Sequence, residues 1–273
     1  MKPEKIIYYS DPLNDDFAGT SIKRKEVGSG FPYVHRSALW RFFSFILYYL
    51  IAVPIVFAIS KLYLGLKFEN RKVLKKVRKS GYYLYGNHTR DLDAFVPSMA
   101  AFPKKAYIVS NPDAVSIPFL YNVVQMLGAI PIPTERSGMK DFSDAVYSRI
   151  REKKCVAIYP EGHVWPFYTG IRPFTSVSFH YPAEDGAPVV AMVTTYRRRS
   201  GLFSFLKRPG MTVTCSEPMY ADGSLTRKNA QNDLRDRVYE FMVKTSSSAE
   251  NVEYIRYIRK NGEETEELIE YNE

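Results

Sequence analysis

The chain has 273 residues, 45% of them hydrophobic, with a formal net charge of +9 and an isoelectric point near 9.3. That length can bury a full core, and setting aside an N-terminal apolar segment and a polar tail leaves one domain of about 200 residues. The positive balance implies anionic partners, whether nucleic acid, phosphorylated metabolites or an anionic bilayer surface, while the lack of any C-x-x-C, H-E-x-x-H, G-x-S-x-G or G-x-x-x-x-G-K-[ST] run argues against zinc hydrolases, serine hydrolases of that type and P-loop enzymes.

Residues 1–36 are punctuated by Gly, Ser and Pro with no sustained period, and read as an arm lying on a membrane or on the domain. Residues 42–60 then run nineteen positions without a charge, and a helix of that length spans about 28 Å, enough to cross a bilayer core. The run begins too far from Met1 and lacks the small-residue cleavage site of an ordinary secretory signal. Pro54 removes one backbone hydrogen bond inside it, so residues 37–69 are expected to form either a membrane-associated helix or a two-helix hairpin. Basic residues flank both sides, including Lys23, Arg24, Lys25, Arg36 and Arg41 before it and Lys61, Lys67, Arg71 and Lys72 after it. Positive charge marks the cytoplasmic side, which places the following domain on the cytoplasmic face of the cell membrane. The basic N-terminal flank leans toward a hairpin with both ends on that face.

Between residues 71 and 79, Val73, Leu74 and Val77 share one helical face among lysines and arginines, a pattern that suits a short helix on anionic headgroups or simply a solvated helix. Beyond it, apolar β-rich runs at residues 82–85, 106–109, 129–132, 155–159, 189–196 and 211–215 alternate with helix-like stretches. This alternation predicts an α/β fold, a largely parallel sheet flanked by helices. One helix is expected over residues 139–153, with Phe142, Ala145, Val146 and Ile150 inward, and another over residues 226–245, with Leu234, Val238, Phe241 and Met242 inward. Cys155 and Cys215 sit inside apolar runs and read as buried strand residues in a reduced compartment. Residues 261–273, rich in glutamate, read as an acidic tail.

Two of the runs end in polar residues, where open α/β sheets place their ligand crevices. The first leads into Asn87, His88 and Thr89, with Asp91 and Asp93 following; the second ends in Tyr159-Pro160-Glu161-Gly162. A histidine becomes a general base for an alcohol when its other ring nitrogen donates to a carboxylate that fixes the tautomer. His88 with Asp93 can supply that pair across a strand-to-helix turn, and Asp91 is the rival partner. Glu161 in its turn can accept hydrogen bonds from substrate hydroxyls or organise nearby backbone amides. Asn87-His88-Thr89 also matches a glycosylation sequon, discounted because it coincides with the candidate catalytic turn.

His88-x-x-x-x-Asp93, preceded by Asn87 and followed 73 residues after the histidine by Glu161 in Tyr-Pro-Glu-Gly, resembles the glycerolipid acyltransferases, best known from the 1-acyl-glycerol-3-phosphate (lysophosphatidic acid) acyltransferases. The resemblance covers roughly residues 70–200 and includes Ile117-Pro118-Phe119 and Gly128-Ala129-Ile130-Pro131-Ile132. It implies a glycerolphosphate acyltransferase-like α/β domain, here residues 70–260, at an anionic membrane surface. Such a domain moves a fatty acyl group from acyl-CoA or acyl carrier protein to a lysolipid hydroxyl. Lysophosphatidic acid is the default acceptor and phosphatidic acid the product; another lysophospholipid or glycerol 3-phosphate is the alternative. His88 would be the base, Asp93 its orienter, and Glu161 with Gly162 would shape the acceptor pocket. Neither metal nor bound cofactor is implied. The family's glutamate motif usually continues Thr-Arg where this chain has His163-Val164, and its middle motif commonly ends in an arginine where this chain has Thr134. Arg172 and Arg136 are the expected replacements for phosphate binding, and His163 either contacts the acceptor or fills the turn. A rival without chemistry, a membrane-tethered lipid- or nucleic-acid-binding protein, is disfavoured for nucleic acid because the aromatic residues do not cluster among the positive charges.

Overall fold

A computed structural model describes residues 3–19 and 24–260; the acidic run at residues 261–273 and Lys23 lie outside the described residues. The described strands are β1 (Lys5–Tyr9), β2 (Lys67–Glu69), β3 (Tyr82–Gly86), β4 (Ala106–Ser110), β5 (Ala129–Pro131), β6 (Cys155–Ile158), β7 (Val189–Arg197), β8 (Gly210–Cys215) and β9 (Ile255–Arg259). Seven of them form one sheet in the order β2-β8-β7-β3-β6-β4-β5. The pairings from β7 to β5 are all parallel, and only β8 runs antiparallel to β7, with β2 parallel to β8.

Both faces of this sheet are covered, which explains why its strands read as unbroken apolar runs. Side chains alternate between the two faces with period two: Tyr82 and Leu84 join one core, Tyr83 and Tyr85 the other. The first core is closed by Val56 and by Val96, Met99 and Ala100 of helix Phe95–Ala101. The second is closed by Phe142, Val146 and Ile150 of helix Met139–Arg151, and by Leu234, Val238 and Met242 of helix Arg227–Ser248. Cys155 and Cys215 are both buried thiols in strands.

The apolar segment forms one continuous helix, Ala38–Tyr63, long and apolar enough to cross a membrane, so the two-legged hairpin does not form. Its turns widen to π-helical geometry over Ile46–Ala52 and Ile59–Tyr63. The first of these stretches leads directly into Val53–Ala58, which carries Pro54 in its opening turn. A wide turn there accommodates a residue that has no N–H and a ring in the way of the preceding carbonyl. Ser44, Tyr48, Val56 and Ser60 make a narrow buried stripe against the domain, while Phe42, Phe45, Leu50, Ile55 and Phe57 are exposed on the other sides.

Residues 71–79 depart from the expected surface helix. Only Arg71–Lys75 is helical, as a 3-10 turn, and Val73, Leu74 and Val77 are all buried in the first core, so the apolar face is spent on the domain rather than on headgroups. The N-terminal arm is anchored on the domain by β1, which pairs in parallel with β9, Lys5 opposite Ile255.

Candidate active site

β3 and β6 are parallel neighbours with Tyr85 opposite Ile158, so His88 and Glu161 emerge three residues later at the same carboxyl edge of the sheet. Asn87 extends the sheet with its side chain: Oδ1 accepts the Thr194 N–H at 2.8 Å and Nδ2 donates to the Thr194 carbonyl at 3.0 Å. It is buried, which removes it as a glycosylation acceptor and fixes the direction in which His88 leaves the strand.

Asp93 closes the turn that follows. It lies in the 3-10 turn Asp91–Ala94, and its Oδ2 accepts the N–H groups of Thr89 at 2.6 Å and Arg90 at 2.8 Å. The same oxygen stands 3.4 Å from His88 Nδ1. Asp93 is 1% exposed and the imidazole 21% exposed, so Nδ1 faces the buried carboxylate and Nε2 is left for a reacting hydroxyl. Asp93 is therefore the partner that the geometry provides; the side chain of Asp91 lies outside the described residues. The ring of Tyr159 stacks on the imidazole with centroids 4.5 Å apart and planes at 23°, and its hydroxyl donates to the Asp93 carbonyl at 2.6 Å. Burial raises the Tyr159 phenol well above its usual range, so it stays a neutral donor. Gly86 makes the stack possible, since a Cβ there would lie 2.8 Å from the Tyr159 ring.

Glu161 ties the two strand ends together. Its Oε2 accepts the His88 N–H at 3.0 Å and its Oε1 accepts the Arg172 N–H at 3.1 Å. The Arg172 guanidinium reaches Glu161 Oε2 at 3.3 Å and also donates to the His163 carbonyl. Both side chains are 1% exposed. Of the two roles open to this glutamate in the sequence, the structure shows the second, a carboxylate that organises backbone amides. Burial raises its carboxyl above the ordinary range, opposed by the Arg172 charge and by the amides of His88 and Arg172. Gly162 turns the chain with a φ of +78°, a left-handed conformation that glycine adopts without strain.

The two arginines separate. Arg172 lies beneath the site, its guanidinium enclosed by Glu161 and 5.1 Å from the centre of the Trp165 ring, so it holds Glu161 and does not face an arriving headgroup. Arg136 is exposed just after β5, at the same carboxyl edge as His88 but two strands beyond β6. His163 Nδ1 stands 3.4 Å from Asp16 of the arm.

Residues 65–195 match the family model described as Acyltransferase, a span that contains every one of these side chains except those of the arm. The chain carries an acyltransferase domain. A similar solved structure is the 1-acyl-sn-glycerophosphate (LPA) acyltransferase PlsC from Thermotoga maritima, matched with a TM-score of 0.51 at 13% identity over 78% of this chain and 95% of that one; at that identity the likeness is one of fold. No curated protein matches the chain. Two parts of this candidate site were not legible in the motifs. Tyr159 reads as the last apolar residue of a strand, although an aromatic directly before Pro160-Glu161 was an available hint. Trp165 gave no hint of its partners: its indole N–H donates to the Asp15 carbonyl at 2.7 Å, and its ring packs on Tyr9, Phe17 and Tyr257.

Proposed function

We propose that the acyltransferase moves a fatty acyl group from the thioester of acyl-CoA or acyl carrier protein to a lysophospholipid hydroxyl, with lysophosphatidic acid as the acceptor and phosphatidic acid as the product. The observation that carries this reading is the partly exposed His88 imidazole with Nδ1 toward the buried Asp93 carboxylate. In this reading His88 Nε2 takes the proton of the acceptor hydroxyl as its oxygen attacks the thioester carbonyl. The C–O bond forms, the C–S bond breaks, and the imidazolium, steadied by Asp93, returns the proton to the departing thiolate. No acyl-enzyme intermediate and no bound cofactor enters. Glu161 acts through the backbone of His88, Gly162 lets the turn close, and Arg172 acts through Glu161. Arg136 meets the acceptor phosphate as an exposed cation at the same sheet edge.

The exposed apolar sides of helix Ala38–Tyr63 suit a domain seated on a membrane, where acceptor and product reside; we assign it to the cytoplasmic face from the basic flanks. The test incubates membranes containing the wild-type chain or its His88→Ala variant with labelled acyl-CoA or acyl carrier protein and a panel of lysolipids and glycerol 3-phosphate. A His88-dependent phosphatidic acid product supports the reading, a different His88-dependent product renames the acceptor, and no His88-dependent product from any pair defeats it.

A further inference from the structure

The sheet has a second polar end. A cavity of about 860 Å³ opens between the sheet and the first turns of helix Ala38–Tyr63. Its lining places it at the amino edge of the parallel strands, since Lys105 directly precedes β4, Lys154 directly precedes β6 and Ala129 opens β5. His88 and Glu161 leave the carboxyl edge of the same strands, so the two sites lie at opposite ends of the sheet.

The cavity is strongly cationic. Among the described residues, Arg36, Arg41, Lys105, Arg149 and Lys154 line it against a single carboxylate, Glu152, which is already paired with Arg149 at 3.0 Å. Lys105 is 7% exposed and its ammonium donates to Ser44 Oγ at 2.8 Å and to the Met126 carbonyl; both acceptors are neutral. Burial, with Arg149 and Lys154 nearby, pushes the Lys105 amine down to about 7. Two further buried donors facing this region, Gln125 Nε2 and Arg149 Nε, have no acceptor among the described residues. A buried donor without an acceptor costs about 1–3 kcal/mol. A buried cation without a counter-ion is held away from its preferred state. An anion in the cavity would offset this excess of positive charge. The cavity also adjoins the apolar helix where Phe42, Phe43 and Phe45 are exposed, which distinguishes an amphiphile from a free metabolite.

We propose that this cavity binds the phosphate of an anionic phospholipid, with its acyl chains along the exposed apolar sides of the helix, at a site separate from the catalytic one. The helix runs from one site to the other: Ser44 bonds with Lys105 at one end, and at the other the Tyr63 ring lies 5.7 Å from the guanidinium of Arg90 in the His88-to-Asp93 turn. The proposal stands independently of the reaction assigned to His88.

The chain has two tryptophans, and Trp40 lines the cavity while Trp165 packs beside the catalytic turn. The full chain is titrated with dihexanoyl phosphatidic acid below its micelle concentration, with dihexanoyl phosphatidylcholine and inorganic phosphate in parallel, reading tryptophan fluorescence. The expected result is a saturable change with the anionic lipid that persists in His88→Ala and disappears in Trp40→Phe. The apparent affinity should fall about tenfold in Arg41→Ala or Lys105→Met, the scale of one charge-assisted hydrogen bond. Arg41 is exposed, so its variant reports without disturbing the core, and circular dichroism checks that Lys105→Met is folded. Absence of a saturable response overturns the proposal, as does an equal response to the zwitterionic lipid or a response unchanged in Arg41→Ala and folded Lys105→Met. Inorganic phosphate binding as tightly as the lipid overturns the lipid assignment.

Discussion

At the carboxyl edge of the sheet the two buried carboxylates are held by donors. Glu161 faces Arg172 and two backbone amides, and one oxygen of Asp93 takes two amides beside His88. At the amino edge Lys105 is nearly as buried, but its described acceptors are a hydroxyl and a carbonyl, and its charged neighbours Arg149 and Lys154 repel it. The two ends differ in sign: one buries carboxylates among donors, while the other lines an open cavity with cations and gives Lys105 neutral acceptors and the faces of Tyr48 and Tyr107. The guanidinium of Arg90, as buried as Lys105, likewise meets neutral partners, Met211 Sδ and the rings of Tyr63 and Phe167. A carboxylate already held by amides suits a catalytic turn, whose geometry must exist before the substrate arrives. A cavity lined by several cations suits a site finished by an anionic ligand, because gathered like charges are costly until something offsets them.

The most severe way to break the comparison is at His88. His88→Ala should lower acyl transfer by about 10²–10⁴-fold, the usual share of a general base, measured as the rate of thiol release with acceptor present; a near-normal rate would remove His88 from the chemistry. Next is the matched pair. Glu161→Gln leaves the Arg172 charge buried alone and should cost about 3–5 kcal/mol of stability in denaturant unfolding, whereas Glu161→Gln combined with Arg172→Met should recover most of that loss. If the double variant is as unstable as the single one, packing around Trp165 rather than charge governs the turn.

Lys105→Met tests the cationic end and should have the opposite sign. A lysine whose folded pKa is depressed to about 7 binds fewer protons in the folded than in the unfolded state between pH 7 and the ordinary lysine value, so its penalty is full below pH 7 and fades as pH rises through that window. The variant should therefore melt higher than the wild-type chain at pH 7, by an increment that shrinks toward pH 10. A lower melting temperature at pH 7 would show that the bonds to Ser44 and Met126 outweigh the desolvation of the charge. The smallest effect is expected at exposed Arg136: Arg136→Ala should raise the acceptor KM roughly fivefold, equivalent to about 1 kcal/mol, with kcat little changed.

The sheet and the His88-to-Asp93 turn were legible because their signals are local. Apolar runs bounded by turns mark the strands, and one strand end delivers the histidine and the carboxylate within five residues. The lone continuous helix was ambiguous because Pro54 reads as a break, and only the wider π-turn before it shows how the chain avoids one. Arg172 was misplaced for the opposite reason: an arginine near a motif reads as a surface ligand, and nothing local tells that Glu161 and Trp165 enclose it. The burial of Lys105 is likewise a tertiary fact, since a lysine before a strand reads as solvated.

The pairing of β1 with β9 brings together residues 250 positions apart, Lys5 with Ile255, and it brings Tyr9 and Tyr257 onto the two tryptophan contacts that flank the catalytic turn. For a nascent polypeptide this means that the α/β sheet can assemble while synthesis continues, but the aromatic cover over Trp165 must wait until Tyr257 has left the ribosome. The aromatic wall beside the His88 turn is thus completed only after every strand of the seven-stranded sheet has been made, so the sheet can be folded before that wall is in place.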